Sequence, residues 1–268
     1  MNAIYRIGAL KTARLPLRFA DPLLVAADLQ REASAMREML AVSPVPAPVP
    51  IAVGRPGRGY PLPWSIQSWL PGDVATPEGT AHCEQFAEDL AGLIGACRSA
   101  PTRGRPFAGA GRGGQLPDSD AWMETCFRES LDILDVPVLR GLWAQLRVLP
   151  RTQADSMTHG DLIPANLLTE NGRLIGVLDT GGFAPADPAL DLVAAWHLFD
   201  AETRSVFRHA LGTTLIEWQR GAAWAFQQAM GLVWYYQASN PGMAQLGRST
   251  LARITNDDEL VSTLPSVR

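Results

Sequence analysis

His159-Gly160-Asp161-Leu162-Ile163-Pro164-Ala165-Asn166-Leu167-Leu168, followed by Arg173-Leu174-Ile175-Gly176-Val177-Leu178-Asp179-Thr180-Gly181, is the stretch on which the fold turns. Asp161, Asn166 and Asp179 punctuate otherwise apolar segments. Asn171-Gly172 between them is a strong hairpin signal, so the flanking strands are predicted to pair antiparallel. In that register residue 166 faces a position near Val177, which brings Asn166 and Asp179 together at the open end. Asp161 falls in the loop entering the same end.

Phosphoryl transfer needs such a set: two oxygen ligands fixed about magnesium on the β- and γ-phosphates, and a carboxylate nearby to orient the acceptor hydroxyl and take its proton. A hard cation explains ligands of the Asn and Asp type in place of Cys or His. The spacing Asp-x-x-x-x-Asn, with an aspartate just past the next strand, matches a kinase catalytic loop and its metal-binding aspartate. Singly, Asn166 reads as a strand-start residue and Asp179 as a turn residue; together they favour a site. His159 is expected to brace backbone. A transition-metal site of His159, Asp161 and Asp179 is the alternative, but His82, His197 and His209 show no supporting ligand spacing. Asp187 reads as an N-cap before Pro188 and nothing more. Asp191, among Leu190, Leu192, Val193 and Trp196, needs partners to offset its desolvation, and bracing the catalytic loop would supply them.

Working outward, residues 2–8 and 12–16 read as strands around a turn, and Asp21-Pro22 caps a predicted helix over about 22–41 with an apolar stripe from Leu23 to Leu40. Trp64 to Trp69 is strand-like, and Pro71-Gly72 marks the boundary. Helices are predicted over about 77–98, 118–148, 188–200, 201–211, 215–238 and 241–256, and Pro101 to Pro117 forms a loop placed to cover a site. The expectation is an α+β, two-lobed chain. Residues 1–71 form a small antiparallel-sheet nucleotide-binding lobe, and residues 72–268 a larger, mainly helical lobe with the catalytic, metal and acceptor sites.

With 268 residues and 47% hydrophobic content, the chain can bury a substantial core. No apolar run approaches the roughly 20 residues that cross a bilayer, and no signal-peptide pattern is present, so a cytoplasmic protein without a membrane partner is expected. The three cysteines, Cys83, Cys97 and Cys126, suggest neither disulfides nor zinc. No basic cluster with interleaved aromatics supports a nucleic-acid partner. Residues 1–72 hold eight Lys/Arg against four Asp/Glu, the remainder fifteen against twenty-three. That acidic balance serves as a tie-breaker for a cationic small-molecule acceptor. Lys11 is the one lysine, so any other charge contact to phosphate must come from arginine.

These residues resemble the aminoglycoside phosphotransferase family, a branch of the protein-kinase-like fold. Agreement runs in order through Asn2 to Pro16, Glu32, Tyr60 to Gly72, the two segments above, Asp187 to Trp196, Trp234-Tyr235-Tyr236 and Asn240-Pro241. The resemblance implies Asp161 as catalytic aspartate and Asn166 and Asp179 as Mg2+ ligands on ATP. It implies Arg14 in the place of the kinase strand lysine, paired with Glu32, and adenine received by backbone around Gln67, Ser68 and Trp69. Three departures stand out: Met1 lies almost at the family's second strand, so the first strand and its phosphate cover are expected to be missing; Thr180 replaces an aromatic; and Ala165 replaces a common glycine. ATP-dependent phosphorylation of a hydroxyl on an aminoglycoside-like or related molecule is the activity implied. A silent nucleotide- or metabolite-binding pseudokinase is the alternative, and a metal-dependent hydrolase on the same carboxylates the third reading.

Overall fold

The computed structural model describes residues 2–18, 20–109 and 111–265. Strands Asn2–Ile7 (β1) and Lys11–Pro16 (β2) pair antiparallel as the sequence suggests, with Tyr5 opposite Ala13. Pro50–Gly54 (β3) and Trp64–Ser68 (β4) complete a sheet in the order β1-β2-β4-β3. Helix Pro22–Val42 (α1) starts at the predicted cap: Asp21 accepts the Leu23 N–H at 2.8 Å, and Pro22 needs no donor partner there. Its buried face, Val25, Leu29, Met36 and Met39, is narrower than predicted, since Leu23 and Leu24 in the first turn remain exposed.

Beyond Gly72 the chain does not turn helical at once. Asp73–Val74 (β5) joins a second sheet with Leu167–Glu170 (β7) and Arg173–Val177 (β8). The hairpin around Asn171-Gly172 has Leu167 opposite Val177, and the Leu178 N–H donates to the Asn166 carbonyl at 2.7 Å. The register therefore lies within one residue of expectation.

The helix predicted over 77–98 is two, Pro77–Thr80 (α2) and Glu84–Ser99 (α3). The run predicted over 118–148 is also two, Asp120–Glu129 (α4) and Val136–Leu146 (α5). The second break has a cause: Pro137 tolerates only the first turn of a helix, and Asp135 caps it by accepting the Val138 N–H. Two short strands, Ser156–Thr158 (β6), which ends just before His159, and Ala184–Ala186 (β9), which was not anticipated, pair antiparallel and bracket the site from both sides.

A 3₁₀ turn, Pro188–Leu192, leads into Val193–Leu198 (α6), then Ala201–Leu211 (α7), Leu215–Tyr235 (α8), Pro241–Thr255 (α9) and Asp258–Thr263 (α10). Helix α8 is buried on nearly every side, with Trp224 and Phe226 fully enclosed, and it packs on α9 and on the 3₁₀ turn. No helix among the described residues is long and apolar enough to cross a membrane.

Candidate active site

Gly160 sits at φ 85°, a left-handed conformation available to glycine without a Cβ clash, and it swings the chain from β6 into the loop that carries Asp161. Asp191 fixes that loop: its two carboxylate oxygens accept the His159 and Gly160 N–H groups at 2.8 and 2.9 Å. Burial pushes the Asp191 carboxyl above the usual carboxylate range, opposed by neighbouring His159 and by these two N–H donors. His159 braces the loop as expected. Its Nε2 lies 2.8 Å from the Leu178 carbonyl and must donate, while Nδ1 accepts the Asp161 N–H at 3.3 Å.

Asp161 and Asn166 lie side by side. The Asn166 amide donates to the Asp161 carbonyl at 2.8 Å, which leaves its own Oδ1 for another partner. Asp179 is held at φ 54°, a left-handed geometry that aspartate tolerates better than bulkier residues, and it closes the same end of the hairpin. Its Oδ1 accepts Arg14 Nη2 at 2.8 Å. This corrects the expected Arg14–Glu32 pair: among the described ion pairs Arg14 engages Asp179 alone. Glu32 stays close enough to feel the guanidinium, but burial dominates and raises its carboxyl, so it is a weaker partner than half-exposed Asp179.

Two cavities meet here. The smaller, ≈ 260 Å³, lies between the lobes and is lined by Arg14, Gln67, Ser68, Trp69, Asn166 and Asp179 among others. The N–H groups of Ser68 and Trp69 donate to the Val49 and Leu10 carbonyls. The larger, ≈ 1040 Å³, is lined by Arg14, Glu32, Arg112, Asp161 and Asp179 and by the 105–109 segment of the predicted covering loop.

Asn166 Oδ1 and the free oxygen of Asp179 are hard donors suited to magnesium. No group of three His, Cys, Asp or Glu able to hold a metal occurs among the described residues. Two side chains completed by phosphate oxygens are a common way for proteins to hold Mg2+, so the residues present fit that ion.

Two contacts to Asp161 were not anticipated. Arg112 Nη2 donates to Asp161 Oδ1 at 2.8 Å and to the Gly160 carbonyl at 2.9 Å, and Gln228 Nε2 reaches the same Oδ1 at 3.1 Å. Arg112 stands alone among the glycines of 111–114, a weak signal; Gln228 on apolar α8 gave less. Asp187, read as a cap only, does cap the 3₁₀ turn through the Ala189 N–H, but it also accepts Arg220 Nε at 3.0 Å and Trp224 Nε1 at 2.8 Å in the core.

The family model described as "Phosphotransferase enzyme family" matches residues 2–224. An aminoglycoside 3'-phosphotransferase of Escherichia coli and one of Salmonella typhimurium are each 28% identical over 142 residues, 50% of this chain. The chain spans about half the length of these curated relatives, 52%. The GDP complex of aminoglycoside 2'-phosphotransferase-IIIa shares the fold at TM-score 0.65 and 17% identity, over 94% of this chain and 88% of that one. A macrolide 2'-phosphotransferase from Brachybacterium faecium superposes at TM-score 0.55 and 19% identity, over 96% and 85%.

Proposed function

Because this chain belongs to the phosphotransferase enzyme family, we propose that it transfers the γ-phosphoryl group of ATP to a hydroxyl of a small molecule. One observation carries the reading. Arg14 and Asp179 line both cavities, Asn166 lines only the smaller and Asp161 only the larger. This division supports a reading with adenine contacts and a metal ligand on one side, the carboxylate that receives the acceptor proton on the other, and phosphate contacts at the junction.

In this reading Asp161 orients the acceptor hydroxyl with the oxygen not engaged by Arg112, and takes its proton as the phosphoryl group departs. Asn166 and Asp179 would hold magnesium, which would supply neutralisation of phosphate charge when bound. Arg14, which pairs with Asp179 here, would bind phosphate in place of that carboxylate. An arginine serves there as a phosphate contact, though its flat fork approaches differently from a lysine ammonium. Asp191, through His159 and Gly160, keeps the Asp161 loop in place, and Gln67 to Trp69 form the base pocket. A silent nucleotide binder has no use for a carboxylate held in the second cavity, which weighs against that alternative.

Asp161→Asn is expected to lower ADP release with an amino-sugar, macrolide and polyol panel by about 10²- to 10⁴-fold. Calorimetric affinity for Mg·ADP should stay near the parent's, with Asp179→Ala as the control that loses metal-dependent binding. Turnover retained by Asp161→Asn sinks the assignment.

A further inference from the structure

Asp161 is gripped on one side. Its Oδ1 accepts Arg112 Nη2 at 2.8 Å and Gln228 Nε2 at 3.1 Å, while among the described residues Oδ2 meets only the Asn166 amide, at 3.4 Å. An aspartate turns broadly about its last side-chain bond, and a half-turn exchanges its two oxygens. Two donors on one oxygen remove that freedom and leave Oδ2 as the oxygen open to a ligand. Both donors come from outside the catalytic loop, Gln228 from α8 and Arg112 from the covering segment. Arg112 Nη2 also donates to the Gly160 carbonyl at 2.9 Å, so one nitrogen ties the carboxylate to the backbone beside it.

The covering segment gives this arginine a fixed root. Arg105 pairs with Glu38 on α1, the Phe107 N–H donates to Asp155 Oδ2 at 2.8 Å, and the Gly113 carbonyl accepts the Asp187 N–H at 2.8 Å. Gly113 sits at φ 95°, and a Cβ there would stand 2.9 Å from Ala186 Cβ and 3.1 Å from Leu190 Cδ2. The residue after Arg112 is therefore pressed against β9 and the 3₁₀ turn. Stability does not explain the pair: with the two side chains 24% and 41% accessible, an ion pair contributes little to folding.

We propose that Arg112 is a positioning residue for phosphoryl transfer, holding Asp161 Oδ1 from the covering segment so that Oδ2 meets the acceptor hydroxyl. The proposal rests on the phosphotransferase reading. In the step it serves, the acceptor oxygen bonds to the γ-phosphorus, the bond from that phosphorus to the β–γ bridging oxygen breaks, ADP leaves, and the hydroxyl proton passes to Asp161 Oδ2. Misplacing a reacting group by an ångström can lower a rate about 10²-fold, which makes the orientation of one carboxylate worth two dedicated donors.

Steady-state ADP release from Mg·ATP is measured for the parent, Arg112→Ala and Arg112→Lys, with the compound of the amino-sugar, macrolide and polyol panel that the parent turns over fastest, or with water as acceptor where none is taken. In Arg112→Ala, kcat should fall about 10- to 100-fold, while KM for Mg·ATP and the thermal midpoint stay near the parent's. Arg112→Lys keeps a charged donor without the planar fork, and guanidinium ion added at a non-denaturing concentration to Arg112→Ala returns the missing group. One or both should restore about threefold or more of the lost rate, which a side chain that merely packs the segment would not allow. An unchanged kcat, a rise in KM for Mg·ATP as the sole effect, or a loss recovered by neither lysine nor guanidinium overturns the proposal. A parent that releases no ADP with any acceptor refutes the phosphotransferase reading itself, and the proposal falls with it.

Discussion

His197 shows how a single side chain can tie stability to the site. It is fully buried on α6, with Nδ1 2.8 Å from Thr250 Oγ1 and Nε2 3.2 Å from Gln228 Oε1, and Gln228 in turn donates to Asp161. Gln228 Oε1 can only accept, so a neutral ring carries its proton on Nε2 and donates to Gln228, which donates on to Asp161. Burial is the main cause that pushes His197 down to about 4. The unfolded ring protonates near pH 6.5 and the folded ring only near 4, so its contribution to stability is complete above 6.5 and declines as pH falls through that window. Between pH 7 and pH 5 the parent should lose about 2 kcal/mol on this account. Urea midpoints at the two pH values should show that loss shrink in His197→Gln; equal losses would remove His197 as the cause. At this scale the convergence of Asp161, Asn166 and Asp179 at one end of the hairpin was legible because their spacing is local. His197, Arg112 and Gln228 were not, because their roles exist only once distant segments meet.

The 3₁₀ turn Pro188–Leu192 and helix α8 work as one element. Asp187 opens the turn and reaches into α8, where Arg220 and Trp224 donate to the same carboxylate oxygen, and Arg220 also donates to the Leu149 carbonyl at 2.7 Å. Both members of the ion pair are 3% accessible. Asp191 leaves the same turn to hold the Asp161 loop, so the turn passes the position of α8 on to the catalytic segment. Asp187→Ala strands a buried guanidinium and should cost about 3–5 kcal/mol, read from urea unfolding. A loss near that of an exposed substitution would mean that water reaches Arg220. Asp187 as a cap was readable from its neighbour Pro188; its ion pair was not, because nothing near residue 187 announces an arginine 33 positions later. The same holds for β9: a three-residue strand carries too little periodicity to be seen, while the Asn171-Gly172 hairpin, defined by its turn, was placed within one residue.

Across the whole molecule, the two lobes touch at the residues that bind magnesium and phosphate in the proposed reaction. Helix α1 belongs to the first sheet by its Val25–Leu29 face, yet it lies against Thr180–Gly182, the turn that follows Asp179. The approach is close: a Cβ on Gly181 would stand 3.1 Å from Glu32 Cβ and 3.2 Å from its Cγ. The Arg14–Asp179 pair bridges the lobes beside this contact. The two-lobed plan and the membership of Arg14, Glu32 and Asp179 in one site followed from the sequence and its family resemblance. Which carboxylate takes Arg14 depends on burial, a property of the assembled lobes. A valine at position 181 tests whether this packing sets the metal ligand. Its branched side chain must push α1 away from the turn, moving Arg14 and Asp179 relative to one another by a fraction of an ångström or more. Small misplacements of this kind are costly where ligands must converge, and Mg·ADP affinity in Gly181→Val should fall about tenfold or more. Each lobe keeps its own core, so thermal stability should change far less than binding does. If calorimetry returns the parent's affinity, α1 and the metal turn are independent, and closure of the lobes is not what positions Asp179.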